Sequence, residues 1–296
     1  MIDYKKIFGD KKPIHLIMPH YNGRYDIIRA FSTIMDRTNY PFILTIIDDA
    51  SKEDDAGFKF LLDLYKMPPV NVEIIFNKTN VGITKNLNMA FKLYPELDCV
   101  RLDADIEIQS TMWLDALANF IEANPECGVV APLCCMIDHM TIYSAGQRIV
   151  FSPSDKIVQP GDYEVFDKLG ESRFGLSEPL EVDSVLGCCA YYRREVIDKL
   201  GGVDENYFGW IEDNDFCVGA RSIGYDVFIL PYVSFCHHDH APKRPSEERK
   251  RILEEGEDYF IEKWGFSLYN PEPYWDKLVE KHRGTKILWR YNNAII

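Results

Sequence analysis

Three carboxylates recur at every second position in the stretch DCVRLDADIEI: Asp103, Asp105 and Glu107. A short apolar run from Val100 to Leu102 delivers them. In an extended chain, side chains at i and i+2 point the same way, so acids at a strand end converge. Like charges held together repel and raise one another's pKa. A divalent cation is the usual offset, and oxygen ligands suit Mg²⁺ or Mn²⁺. The bland alternative is a solvated loop that merely contains acids, in a chain where Asp and Glu number 47 of 296 residues.

A second acidic group, Glu212, Asp213 and Asp215, follows the aromatic pair Phe208 and Trp210 in FGWIEDNDF. Acids at a helix start are favoured by the helix dipole and cap free N–H groups, which gives them a structural reading. The chemical reading is a general base, because a carboxylate beside Trp or Phe is partly desolvated and accepts a proton more readily. Gly209 would allow close approach to a ligand. His237 and His238 follow the apolar run ILPYVSFC. Neutral imidazole binds divalent ions, and surface histidines beside Asp239 and His240 are the alternative.

The elements that must position these groups follow from hydrophobic periodicity. Strands are expected over IHLIMP (Ile14–Pro19), Phe42–Ser51, Val70–Asn77, DCVRLDAD and CGVVAPL. Helices are expected over Arg24–Thr38, where Ile27, Ile28, Phe31, Ile34 and Met35 share a face, over DDAGFKFLLDLYKM before Pro68–Pro69, and over NVGITKNLNMAFKLY. A further helix over STMWLDALANFIEANPE takes Ser110 as its N-cap. This alternation predicts right-handed βαβ crossovers and a mostly parallel sheet. Ligands bind at the carboxyl ends of such strands. Asp48–Asp49 end the second strand, Asp103 and Asp105 the fourth, and Pro19, Tyr21 and Asn22 the first, so all fall on one edge. Scattered surface acids would not agree in this way.

The rhythm lapses between Ile137 and Leu180, where hairpins and loops such as IYSAG, RIVF and KIVQPG suit an insertion that shapes a binding site. It returns from Glu181 with a strand, a short helix, a helix from about Glu212 to Ile223, and final strands. The tail from Ser246 is charged and helical, then Pro- and aromatic-rich, ending in KILWRYNNAII, for which packing is favoured over docking.

The net charge is −14 and the apolar share 46%. An acidic chain of this kind repels polyanions, so no nucleic-acid partner is expected. No apolar run reaches the roughly 18 residues needed to cross a bilayer, and the N-terminus lacks a signal-peptide core. A cytoplasmic protein is expected, with peripheral membrane contact left open. The eight cysteines form no C-x-x-C and no zinc spacing, and are expected as buried free thiols.

The segments IMPHYN, IIDDAS, NVGITKNLN, LDAD, GGVDENYFGWIEDNDFCVGARSIGY and LPYVSFCHH stand in an order and spacing that resembles family 2 glycosyltransferases of the GT-A fold. The likeness runs from Ile14 to His238. The YSAG and GGVDENYFGWIED stretches look most like the bacterial rhamnosyltransferase-like branch. The resemblance implies an α/β, Rossmann-like, mostly parallel sheet flanked by helices, with residues 1–240 as the catalytic domain and residues 241–296 as a helical C-terminal extension. Within that domain, residues to about 135 would bind nucleotide and residues from about 136 the acceptor. It implies base contacts at Pro19, Tyr21 and Asp49, and nucleotide contacts at Gly82 and Asn86, with Asn22 and Asp48 beside them. Asp105 becomes the direct ligand of Mn²⁺ or Mg²⁺, Asp103 lies nearer the ribose, and His237, or His238 in its place, joins the metal. Asp213 is the base, with Glu212 its neighbour. The donor would be a UDP- or dTDP-sugar. The acceptor would be a hydroxyl on a glycan, a lipid-linked glycan, a protein or a small molecule, transferred to with inversion, and self-association is left open.

Other classes fit less well. A phosphatase of the haloacid-dehalogenase type carries its Asp-x-Asp after the first strand, followed by Thr or Val, whereas here Ile106 and Glu107 follow the fourth. A nucleotidyltransferase wants a Gly-rich basic loop after strand one, and PHYNGRYD is a poor one. A non-catalytic nucleotide-sugar-binding protein would not need both Asp105 and Asp213.

Overall fold

The computed structural model describes residues 1–148, 164–165, 172–238 and 246–268. Helix α1 (Tyr4–Phe8) precedes β1 (Ile14–His20), α2 (Asp26–Arg37), β2 (Phe42–Asp48), α3 (Ala56–Lys66), β3 (Val72–Phe76), α4 (Ile83–Phe91) and β4 (Cys99–Leu102). Then come β5 (Ile106–Ile108), α5 (Trp113–Ala123), β6 (Cys127–Cys135), β7 (Ile142–Ser144), β8 (Gln147–Arg148) and β9 (Glu164–Val165). The chain continues through β10 (Leu180–Val182), β11 (Cys189–Tyr192), α6 (Arg194–Leu200), α7 (Glu212–Ser222), β12 (Asp226–His237) and α8 (Ser246–Trp264).

The main sheet runs β10-β12-β6-β11-β4-β1-β2-β3. Pairs β4–β1, β1–β2 and β2–β3 are parallel, and β12–β6 is parallel too. Strand β11 is antiparallel to both β4 and β6, and β10 to β12. The expected mostly parallel sheet is therefore complete from β3 to β4 and mixed beyond it. Central strands are mostly apolar because both faces are covered; all seven residues of β2 are buried. On one face Leu16, Met18, Leu44 and Ile46 meet α2, α3 and α5 through Ile27, Ile34, Leu61, Leu114 and Leu117. On the other, Ile17 and Ile47 meet α4, α6 and α7 through Leu87, Phe91, Val196 and Phe216.

The strand order reverses direction between β1 and β4, and such a switch point opens a crevice at the carboxyl edge. The loops after β1 and β4 both leave from that crevice. Three local expectations change. The acids after Leu102 do not continue the strand: a turn at Ala104–Asp105 separates β4 from β5. Ser110 is not the N-cap of α5, which begins after Met112 without a side-chain cap. Its Oγ instead accepts the N–H of Ser234 at 3.0 Å, pinning the β5–α5 loop to β12. The expected strand after Glu181 is split into β10 and β11, with a turn at Gly187–Cys188 between them.

All eight cysteines are free and buried, as expected. Of the middle segment, IYSAG supplies β7, while KIVQPG and the terminal KILWRYNNAII lie outside the described residues. Among the described residues no helix is long and apolar enough to cross a membrane.

Candidate functional site

The β1 edge is organised by a residue the sequence reading passed over. His20 is buried. Its Nδ1 lies 2.9 Å from Asp48 Oδ1, and its Nε2 accepts the N–H of Gly23 at 3.1 Å. Accepting at Nε2 leaves Nδ1 to donate, so the neutral ring is oriented by both partners. Asp48 also accepts the Ser51 N–H at 3.0 Å. Asn22, left-handed at φ 50, accepts the Lys52 N–H at 2.8 Å. Asp48 and Asn22 thus tie the loops after β1 and β2 together. Pro19 and Tyr21 stay partly exposed beside them.

Asp49 points the other way, into the turn before α4. It accepts Asn77 Nδ2 at 2.8 Å, the Val81 N–H at 3.0 Å and the Gly82 N–H at 2.9 Å. Asn77 Nδ2 also donates to Asn86 Oδ1 at 2.7 Å. The buried Asn86 Nδ2 has no hydrogen-bond partner among the described residues. Gly82 has φ +87, and a Cβ there would stand 2.9 Å from the Phe208 carbonyl oxygen. The turn is therefore pressed against the loop that leads to Glu212. Gly209 faces open space, with no protein atom among the described residues within 4 Å of where a Cβ would stand.

Asp103, Asp105 and His237 come together at the switch point, one ligand atom from each lying within 4.8 Å of the others. Antiparallel pairing of β12 with β5 sets His237 opposite Ile106, and its Nε2 is 3.1 Å from Asp105 Oδ1. Alternation along the chain sends His238 elsewhere, to Glu107 Oε2 at 3.2 Å. Glu107, whose acid was expected to converge with the other two, thus holds His238, and of the two candidate histidines only His237 joins the cluster. Burial works against a charged His237, but Cys188, the Asp105 hydrogen bond and the Asp105 and Asp103 carboxylates together outweigh it and raise its pKa to about 10. Two carboxylates and an imidazole form a donor set that suits Mn²⁺ or Mg²⁺, and a bound ion would displace the histidine proton.

Arg101 joins this cluster to the second acidic group. It lies in β4, 5% exposed, and donates from Nη1 to Glu212 Oε1 at 2.9 Å and from Nη2 to Asp103 Oδ1 at 3.4 Å. The signal was present in sequence: a lone cation inside a buried strand, two positions before Asp103. Glu212 is itself 3% exposed, and its Oε2 meets no hydrogen-bond partner among the described residues. Burial pushes its pKa up to about 7, against the pull of Arg101 and with the help of Asp213. Asp213 is half-buried. It accepts the Gly187 N–H at 2.8 Å and the Asn214 N–H at 2.9 Å, and each oxygen keeps a lone pair for a hydroxyl. Asp215 faces away, toward α8.

The raised Glu212 pKa makes a stability prediction. Its folded value of about 7 exceeds its ordinary 4.5, so between those values the folded state binds more protons than the unfolded one. Stability from this group is then lost as pH rises. Relative to the wild type, Glu212→Gln should lose less stability between about pH 5 and pH 7, by on the order of 2 kcal/mol. Urea midpoints of both proteins across that range measure the difference.

The sequence from 15 to 201 matches the family model for glycosyl transferase family 2. An uncharacterized glycosyltransferase of Haemophilus influenzae is 26% identical over 111 residues, covering 38% of this chain and 33% of the relative. The matched region thus spans about a third of that relative's length. Among solved structures, GalNAc-T7 with UDP, GalNAc and Mn²⁺ has a TM-score of 0.59 at 18% identity, covering 93% of this chain and 55% of the other. A mannosyltransferase, PcManGT from Pyrobaculum calidifontis in complex with GDP-Man and Mn²⁺, has a TM-score of 0.57 at 17% identity, covering 92% and 69%. At these identities the likeness establishes the fold, an α/β sheet flanked by helices of the GT-A kind.

Proposed function

The chain belongs to glycosyl transferase family 2, and from that premise we propose that it moves a sugar from a nucleoside diphosphate donor to a hydroxyl acceptor with inversion. The observation that carries the reading is the meeting of Asp103, Asp105 and His237 at the switch point, with Arg101 linking Asp103 to Glu212 beside Asp213. Asp103, Asp105 and His237 would hold Mn²⁺ or Mg²⁺, which when bound neutralises the charge that grows on the diphosphate leaving group. The turn from Val81 to Asn86 with Asp49 bonded into it, and the β1 edge at Pro19 and Tyr21, form the nucleotide side.

Asp213 takes the proton of the acceptor hydroxyl as that oxygen attacks the anomeric carbon from the face opposite the diphosphate. Direct attack gives inversion in one displacement, with no covalent enzyme adduct. Arg101 holds Glu212 against the β4 side and keeps Asp103 oriented. A UDP- or dTDP-sugar is the donor in this reading, and polysaccharide or glycoconjugate synthesis is its setting. Placement in the rhamnosyltransferase-like branch rests on the YSAG and GGVDENYFGWIED stretches. In this reading residues to about 135 form the donor half and residues from about 136 the acceptor half.

Incubation with a panel of nucleotide sugars, followed by NMR of the anomeric proton of the product, tests the reading. Product of inverted configuration supports it, and product of retained configuration contradicts it. Gly187 gives a second test. A Cβ there would stand 2.3 Å from Arg101 Nη1 and 2.9 Å from Asp213 Cβ. Gly187→Ala should cost about 1–3 kcal/mol of stability through overpacking. Turnover should fall further, by roughly 10²-fold, because it shifts the base and its neighbour. Steady-state kinetics and urea denaturation on the same preparation separate the two effects.

A further inference from the structure

Helix α8 carries an apolar stripe at four-residue spacing through Ile252, Gly256, Phe260 and Trp264. Phe260 joins Tyr207, Ile211 and Val218, with Phe266 and Leu268 from beyond the helix, in one buried cluster. Gly256 brings the backbone in close: a Cβ there would stand 3.4 Å from Ile211 Cδ1 and 3.9 Å from the Trp210 carbonyl oxygen. Beneath this contact Asp215, 4% exposed, accepts Tyr207 Oη at 3.1 Å, Lys263 Nζ at 2.8 Å and Trp264 Nε1 at 2.7 Å. Lys263 also donates to Asp204 at 2.8 Å, which Tyr259 Oη reaches at 3.0 Å. The helix therefore grips the chain at Asp204 and again at Asp215.

Between those grips stand Trp210 and Ile211, left-handed in succession at φ 59 and φ 69. That conformation is unfavourable for any non-glycine residue, and a β-branched side chain makes it worse. Such strain persists only where the surroundings over-determine it. These two residues set the direction in which α7 starts, and so the aim of Glu212 and Asp213. The N-cap Ile211 makes no side-chain cap, and besides α8 the start of α7 is held by Arg101 on Glu212 and the Gly187 N–H on Asp213. We infer that α8 is a positioning element for the transfer reaction: Lys263 and Trp264, acting through Asp215, hold the strained turn that aims Asp213 at the acceptor. The inference rests on the reading of Asp213 as the base.

Hydrogen exchange of the full-length protein, read with kinetics, tests it. Lys263→Met removes the ammonium. Trp264→Phe removes the indole N–H and part of the ring's bulk while keeping an aromatic ring in the cluster, so it is the second variant should the first fail to fold. Both should speed amide exchange across residues 207–213 by about tenfold, as expected when a local opening becomes easier. Exchange in β1 and β4 and the metal-dependent Kd for nucleotide should not change. Turnover should fall about 10-fold or more, and Lys263→Arg should restore most of it. Unchanged exchange at 207–213 overturns the inference, as does faster exchange with wild-type turnover. If the wild type transfers no sugar, the activity reading fails separately, and the exchange result still decides whether α8 holds the turn.

Discussion

Asp213→Asn should leave metal-dependent nucleotide binding nearly intact and lower turnover by about 10²-fold or more. The amide is close to the carboxylate in size and its oxygen still accepts from Gly187 or Asn214, whose N–H groups lie 2.8 and 2.9 Å from the carboxylate. The change therefore removes proton acceptance and leaves the turn standing. The carboxylate sits across Arg101 and Glu212 from the metal cluster, so the donor side loses no ligand. A loss in kcat without a loss in nucleotide affinity is the signature of a group that acts on the acceptor hydroxyl. Wild-type turnover in the variant would exclude Asp213 as the base, and Glu212→Asp would then be the next variant to assay.

Asp105→Ala should act on the other side of the reaction. It removes a carboxylate ligand and the partner of His237, whose Nε2 lies 3.1 Å from Asp105 Oδ1. Local structure is expected to persist, because it is the Asp105 carbonyl oxygen, which the variant keeps, that accepts the His238 N–H at 3.0 Å. Nucleotide affinity measured with Mn²⁺ should fall by about 10²-fold, while affinity in EDTA should match the wild type. Undiminished Mn²⁺-dependent affinity would remove Asp105 from the metal site.

The donor edge was legible in sequence because βαβ periodicity places strand ends, and strand ends place Pro19, Asp48, Asp103 and Asp105 on one side. What periodicity cannot give is the pairing of distant strands. Only the antiparallel register of β12 with β5 decides that His237 meets Asp105 and that His238 meets Glu107. The convergence of three acids was half right: the turn at Ala104–Asp105 keeps Asp103 and Asp105 together and sends Glu107 to His238. Arg101 was visible as a cation in a buried strand, but its link to Glu212 spans 111 positions, beyond any local pattern. His20 could not be singled out locally, since its role depends on Asp48 arriving from the next strand. Asp215 looked like a member of the acidic trio, and the fold assigns it to α8 because helix spacing places it away from Asp213.

The most direct test is a calorimetric titration of the purified protein with UDP, dTDP, GDP and ADP, each with Mn²⁺ and with EDTA. The metal site and the nucleotide edge described above predict that one pyrimidine diphosphate binds with Mn²⁺ and is lost with EDTA. Binding of none of the four, or binding indifferent to EDTA, would contradict a metal-dependent donor site at Asp103, Asp105 and His237.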